Sequence, residues 1–204
     1  NTQNMLYYHL KDVYGVPFVI DDITTNDNLN LSSIVYDIVQ GEEKGRMNGS
    51  GEAREISSWS GVVITSSESP IMDAVKGDQG LKARVLHTDG SQWTMSAEQY
   101  TLIKRVLSQN YGFTGKEFAD YVATIPLDDL YDRFLESLDV VKTLMVKKDR
   151  LTDRLAHKYA AVHLTVLLVN EALQFNMSAN DIASLFIECE QDCFEERDNS
   201  IKAY

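Results

Sequence analysis

Polar and apolar positions divide the chain into a mixed first part and a second part patterned only for helices. Residues 5–14 (MLYYHLKDVY) carry helical spacing, which Gly15 and Pro17 interrupt. In PFVIDD a short continuous apolar run holds Val19 and Ile20 and ends in two acids. Such a run predicts a parallel strand buried on both faces. TTNDNLN is turn material with Asn and Asp available as caps. LSSIVYDIV then puts Leu31, Ile34, Val35, Ile38 and Val39 on one face at a 3.6-residue period, a helix. The stretch from Gly41 to Trp59 is marked as a loop or short hairpin by Gly41, Gly45, Gly49, Gly51 and the Asn48-Gly49 pair. GVVITSSES reads as a second buried strand, and KARVLHTDG as a third strand closed by Asp89-Gly90.

After Trp93 the pattern is helical throughout. Ser96 can cap AEQYTLIKRVLSQNYG, which Gly112 ends. Thr114 with Glu117 makes a capping box for KEFADYVATI. Pro126 precedes a helix over about 128–147, and two more follow over about 149–175 and 178–196, the last capped by Ser178 or Asn180. The fold class is therefore α/β: a short parallel sheet with helices over residues 1–95, then an all-helical C-terminal lobe over 96–204.

Composition sharpens this picture in a few places. With 204 residues and 44% apolar content the chain can build one sizeable core. The longest apolar run, Ala160 to Val169, is too short to span a bilayer, and no signal peptide opens the chain. A cytoplasmic protein without membrane contact is expected. Cys189 and Cys193 lie four apart without a second pair or a nearby His, so free thiols are expected and a zinc site is not. The net charge of −12 argues against a surface given over to nucleic acid. The charge is uneven, though: eight acids against two bases from Glu171 to Tyr204, and six bases against two acids from Lys142 to Lys158. Residue 1 is Asn and helical spacing begins almost at once, which suggests a piece of a longer protein or a chain with a leader.

The chemistry concentrates at the ends of the two strands. Asp21 and Asp22 stand at the carboxyl end of the first, where ligands bind in open parallel sheets. A Mg-nucleotide site needs one carboxylate for the metal's water shell and a second to orient the attacking water. Adjacent residues on a strand point to opposite sides, so the two acids can serve different partners. Thr65, Ser66 and Ser67 end the second strand; in a parallel sheet that tip lies beside Asp21, and a hydroxyl there can bond a lytic water or a terminal phosphate. Both tips taken alone are also what plain solvent-facing acids and a Ser-rich turn look like. Arg84 follows the second strand and can reach a neighbouring subunit's phosphate, although a surface ion pair explains a single Arg as well. Lys44, Arg46 and Arg54 can meet DNA phosphates from the glycine-rich loop, but Glu42, Glu43, Glu52 and Glu55 sit among them. Thr114-Gly115-Lys116 imitates the end of a phosphate-binding loop without its first glycine, its final hydroxyl or a preceding strand. His157 and His163 are six apart and share no helix face.

In this order and spacing, PFVIDD, SIVYDIVQGEEKGRMNGSGEAR, SWSGVVITSSESPI and KARVL resemble the second half of the phage- and plasmid-borne domain-of-unknown-function family numbered nine-two-seven. Asp21 and Asp22, Lys44 and Arg46, Trp59, Ser66-Ser67-Glu68 and Arg84 match its pattern, and Arg154 to Ala161 its closing segment. Asp22 stands where that group usually has Glu, and Ser66 where Thr is usual. The resemblance implies a P-loop ATPase of the AAA+ and helicase kind, with Asp21 and Asp22 as the Walker B acids. Asp21 would bind Mg with ATP, Asp22 would act on the water, Ser66 would sense the phosphate and Arg84 would act across subunits. It also implies DNA as partner and a ring of like subunits. The sequence holds no GxxxxGK[ST] loop to cradle phosphates. The expectation is thus a C-terminal portion of an ATP-dependent DNA-processing protein of a mobile element, inactive by itself. The alternative is a non-catalytic α/β plus helical module that docks partners through its acidic tail or its 142–158 stretch.

Overall fold

The computed structural model describes residues 3–21, 31–43, 45, 56–67, 71, 84–88, 96–145 and 150–189. Contacts divide the chain into two units, Asn1–Val85 and Leu86–Tyr204.

In the first unit, helix α1 (Gln3–Leu10) leads to strand β1 (Phe18–Ile20), helix α2 (Leu31–Gln40) and strand β2 (Val63–Thr65). The chain leaves α1 four residues before the expected helix end, through Asp12 at φ 62°. β1 and β2 pair in parallel, with Phe18 opposite Val63, Val19 opposite Ile64 and Ile20 opposite Thr65. Pairing starts earlier, where the Ser60 amide donates to Val13 O at 2.9 Å and the Gly15 amide to Ser60 O at 2.7 Å. Gly61 makes this approach possible, since a Cβ there would stand 2.7 Å from Val16 O.

A parallel pair needs a crossover, and α2 supplies it. The carboxyl end of α2 is fixed to the entry of β2: Trp59 Nε1 donates to Ile38 O at 2.9 Å, and the Trp59 amide donates to Gly41 O at 2.8 Å. Its amino end therefore faces the carboxyl ends of the strands. Gly41 turns the chain at φ +77°, and a Cβ on it would lie 2.8 Å from Trp59 O. Only glycine meets both demands without strain.

Trp59, Tyr7 and Leu10 are the buried centre, with Leu6, Phe18, Ile38 and Val63 packed around them. The Tyr7 and Trp59 rings stack at 5.7 Å and 18°. Tyr7 donates its hydroxyl proton to Asp37 Oδ2 at 2.5 Å, which explains why Asp37 is buried while Val39 is exposed. The expected apolar stripe of α2 is thus rotated: Leu31, Ile34 and Asp37 face inward.

The strands differ from expectation in one respect. Phe18 and Val63 pack on the core, but Val19 is 65% exposed and Ile64 51%. Side chains alternate across a strand, so one face of the pair is covered and the other is open. A continuous apolar run carries no information about which face is covered. The third expected strand is not formed where it is described: residues 84–88 are a turn and coil.

The second unit is helical. Helix α3 (Ala97–Gln109), α4 (Phe113–Ala123), α5 (Leu127–Leu144) and α6 (Arg150–Leu173) are followed by α7 over residues 179–189. Ser96 caps α3 by accepting from the Gln99 amide at 3.2 Å. Thr114, however, is no cap: α4 begins at Phe113 behind Gly112, whose φ of +83° sets the turn. Ser178 accepts from the Asp181 amide at 3.2 Å at the start of α7.

Along α6 the buried residues Leu155, Ala156, Tyr159, Ala160, His163 and Leu164 repeat at helical spacing. They meet Ser137, Leu138 and Val141 of α5, and Ala179, Ala183 and Ile187 of α7 are buried too. His163 joins all three helices, its Nδ1 lying 3.1 Å from Ser137 Oγ and its Nε2 3.0 Å from Asn180 Oδ1. Glu171 of α6 accepts from the Tyr121 hydroxyl of α4 at 2.5 Å and pairs with Arg133 of α5. By contrast α3 buries none of its residues. Tyr100, Leu102, Ile103, Val106 and Leu107 all lie exposed on it. No helix among the described residues is long and apolar enough to cross a membrane.

Candidate functional site

The parallel register carries β1 and β2 to the same end of the sheet, and the residues just beyond them meet. The Ser66 amide donates to Ile20 O at 3.2 Å, so the pairing runs one residue past the strands. Ser66 Oγ then donates to Asp21 Oδ1 at 2.6 Å, with both side chains exposed to solvent. A register shift by one residue would turn the two side chains to opposite faces. Their meeting therefore depends on the pairing of Ile20 with Thr65, which the buried Tyr7–Trp59 centre and Gly61 hold in place.

Chemically this is a carboxylate beside a hydroxyl at the carboxyl end of a parallel pair, the place where open parallel sheets bind ligands. The Ser66 hydroxyl gives its proton to Asp21 Oδ1, and both side chains face solvent. These are hard oxygen donors of the kind Mg takes, usually through its water shell and with one or two carboxylates. They fit a Mg ion in that sense. No group of three or more metal-ligating side chains occurs among the described residues.

Arg84 is exposed in a turn. Its guanidinium carbon lies over the Tyr36 ring of α2, 5.4 Å from the centroid. The structure thus brings Asp21 and Ser66 together and seats Arg84 on α2. Asp22, Glu68 and the basic residues Lys44, Arg46 and Arg54 lie outside the described residues, as does most of the acidic tail with Cys193. Lys116, of the imitation phosphate loop, pairs with Asp120 one turn along α4 in open solvent. His163 is a structural link between helices, and Cys189 is a free thiol.

Tyr36 is the residue that sequence reading passed over. Its place on the outward side of a helix carries no signal by itself. Only the position of Arg84, 48 residues later in the sequence, gives the ring a partner.

The described elements define a coarse α/β chain, a crossover-linked parallel pair followed by a helical unit. Its likeness among solved structures is to one described as "SCCmec type IV Cch - active helicase", with a TM-score of 0.78 and 23% sequence identity. At that identity the likeness is one of fold. It covers 97% of this chain and 36% of the helicase chain, so this chain spans little more than a third of that protein. No family model matches the sequence. No curated protein matches it either.

Proposed function

We propose that this chain is the later part of an ATP-driven DNA-processing motor of a mobile element, built on a P-loop core of the AAA+ and helicase kind. The observation that carries the reading is the hydrogen bond from Ser66 to Asp21 at the common carboxyl end of two parallel strands. The fold likeness to part of a helicase supports it.

In the complete protein Asp21 holds Mg with its nucleotide, and Ser66 keeps the Asp21 carboxylate oriented while reading the terminal phosphate. The metal would supply neutralisation of phosphate charge. Asp22 orients the attacking water, and Arg84 reaches a phosphate bound by a neighbouring subunit, its planar fork suited to that contact. Lys44, Arg46 and Arg54 contact DNA phosphates. The backbone cradle for the phosphates comes from sequence that these 204 residues do not contain, so the chain by itself neither binds ATP tightly nor hydrolyses it.

The test is DNA-stimulated ATP hydrolysis by the complete protein, with Asp21→Ala and Asp22→Ala as variants. Both are expected to lose turnover; unchanged turnover in the two would remove the assignment. A second reading, a docking module without catalysis, is favoured by one observation, the uncovered apolar face of α3.

A further inference from the structure

The cation of Arg84 has a specific neighbour, and that neighbour has no part in the chemistry outlined above. Tyr36 sits on α2 with 41% of its surface exposed, and the Arg84 guanidinium lies against its face at 5.4 Å. Arg84 stands in a turn, so its backbone gives the long side chain little direction. We propose that Tyr36 is a positioning residue for Arg84: its ring is the seat on which the guanidinium waits before it engages an anion.

Three observations carry this. The ring is half in solvent, so the seated guanidinium keeps an outward face through which a phosphate can approach. The seat is on the crossover helix, whose amino end faces the Asp21–Ser66 tip and whose carboxyl end is locked to Trp59. Tyr36 lies five residues into α2, about 7 Å along the axis from that amino end.

The strength of the contact is also right for a seat rather than a lock. An exposed cation–π contact biases the side chain by a factor of about two to five. A charge-assisted bidentate bond to phosphate is stronger, so an anion can take the guanidinium away. The proposal rests on the reading of Arg84 as a residue acting across subunits, but the contact itself can be tested without it.

The first measurement uses this 204-residue chain with isotope-labelled arginine, observing the Arg84 Nε–Hε signal by NMR. R84K identifies the signal by removing it. The expected result is an upfield ring-current shift in the wild type, kept in Y36F and lost in Y36L, while circular dichroism shows all three equally folded. The same Arg84 shift in Y36L as in the wild type would overturn the proposal.

The second measurement is ATP turnover by the complete protein. Y36L is expected to lower kcat about two- to fivefold with KM unchanged, following the lost bias, and Y36F to restore it. Wild-type turnover in Y36L, with R84A inactive, would remove the role of Tyr36 alone. Wild-type turnover in R84A would remove the cross-subunit reading and the positioning role together, leaving the NMR contact intact.

Discussion

Ser66 and Asp21, 45 residues apart in the chain, are joined by a 2.6 Å hydrogen bond at the point where two parallel strands end. The bond is exposed, so it contributes little to stability. Ser66→Ala in the complete protein is therefore expected to leave the melting temperature within about 1 °C and to lower ATP turnover about tenfold, the equivalent of one hydrogen bond. Asp21→Ala should lower it by about a hundredfold or more. Steady-state hydrolysis beside a thermal melt checks both; a Ser66→Ala protein that melts early but turns over normally would contradict the assignment.

Trp59 ties α1, α2 and β2 through its ring, its indole N–H and its backbone. Trp59→Ala should destabilise the first unit by about 3–5 kcal/mol. Trp59→Phe keeps a ring against Tyr7 but leaves Ile38 O without its side-chain donor, for a loss of about 1–2 kcal/mol. Urea titrations following the first unit would rank the two.

Two glycines with similar backbone angles should respond differently. Gly15 (φ +71°) has nothing within 4 Å of a would-be Cβ, whereas at Gly41 (φ +77°) that atom meets Trp59 O at 2.8 Å. Gly15→Ala bears only the left-handed backbone cost, about 1–2 kcal/mol. Gly41→Ala adds a clash with backbone and should exceed it. Equal losses in parallel denaturation curves would mean that the close approach at Trp59 O carries no energy.

His163→Ala should destabilise the helical unit by about 2–4 kcal/mol, since it opens a gap and strips the buried Ser137 Oγ of its ring partner, while Asn180, exposed on α7, can turn to water. The double change His163→Leu with Ser137→Ala removes that orphaned group and is expected to recover part of the loss. Chemical denaturation of the set provides the comparison.

The Glu171 carboxyl is held below its ordinary value of 4.5, first by the Tyr121 hydroxyl and also by the Arg133 guanidinium, against a smaller opposing effect of burial than the Tyr121 bond. A depressed folded-state value means that the stabilisation is complete above about 4.5 and disappears as the pH falls through the lower, folded value. Melts of the wild type at descending pH should therefore lose more than those of Glu171→Gln below pH 4.5. Parallel curves for the two proteins would dissociate Glu171 from the acid response.

Much of this architecture was legible in the sequence because it depends on local period. The helices of the second unit and the Ser96 cap follow from spacing alone, and the two apolar runs give the strands. The parallel direction follows from a helix lying between them. What could not be read depends on contacts between distant residues. Asp37 looks like a solvent-facing acid until the Tyr7 hydroxyl, 30 residues away, makes it an interior one. Val19 and Ile64 look like core, and the covering of only one sheet face leaves them bare. Thr114 with Glu117 has the letters of a capping box, yet the left-handed Gly112 starts the helix two residues too early for it. At the candidate site, the meeting of Asp21 with Ser66 was legible from strand order, whereas the ring beneath Arg84 was not.

The parallel ladder also bears on how the chain acquires its structure. Every bond of that ladder joins positions some 45 residues apart, whereas α5 and α6 meet across a connection of only a few residues. Closing the long loop costs entropy before any bond repays it, so topology makes the strand pair the slow event and the helical hairpin the fast one. The carboxylate and the hydroxyl come together only when that slow event is complete, and until then the chain is without its candidate centre.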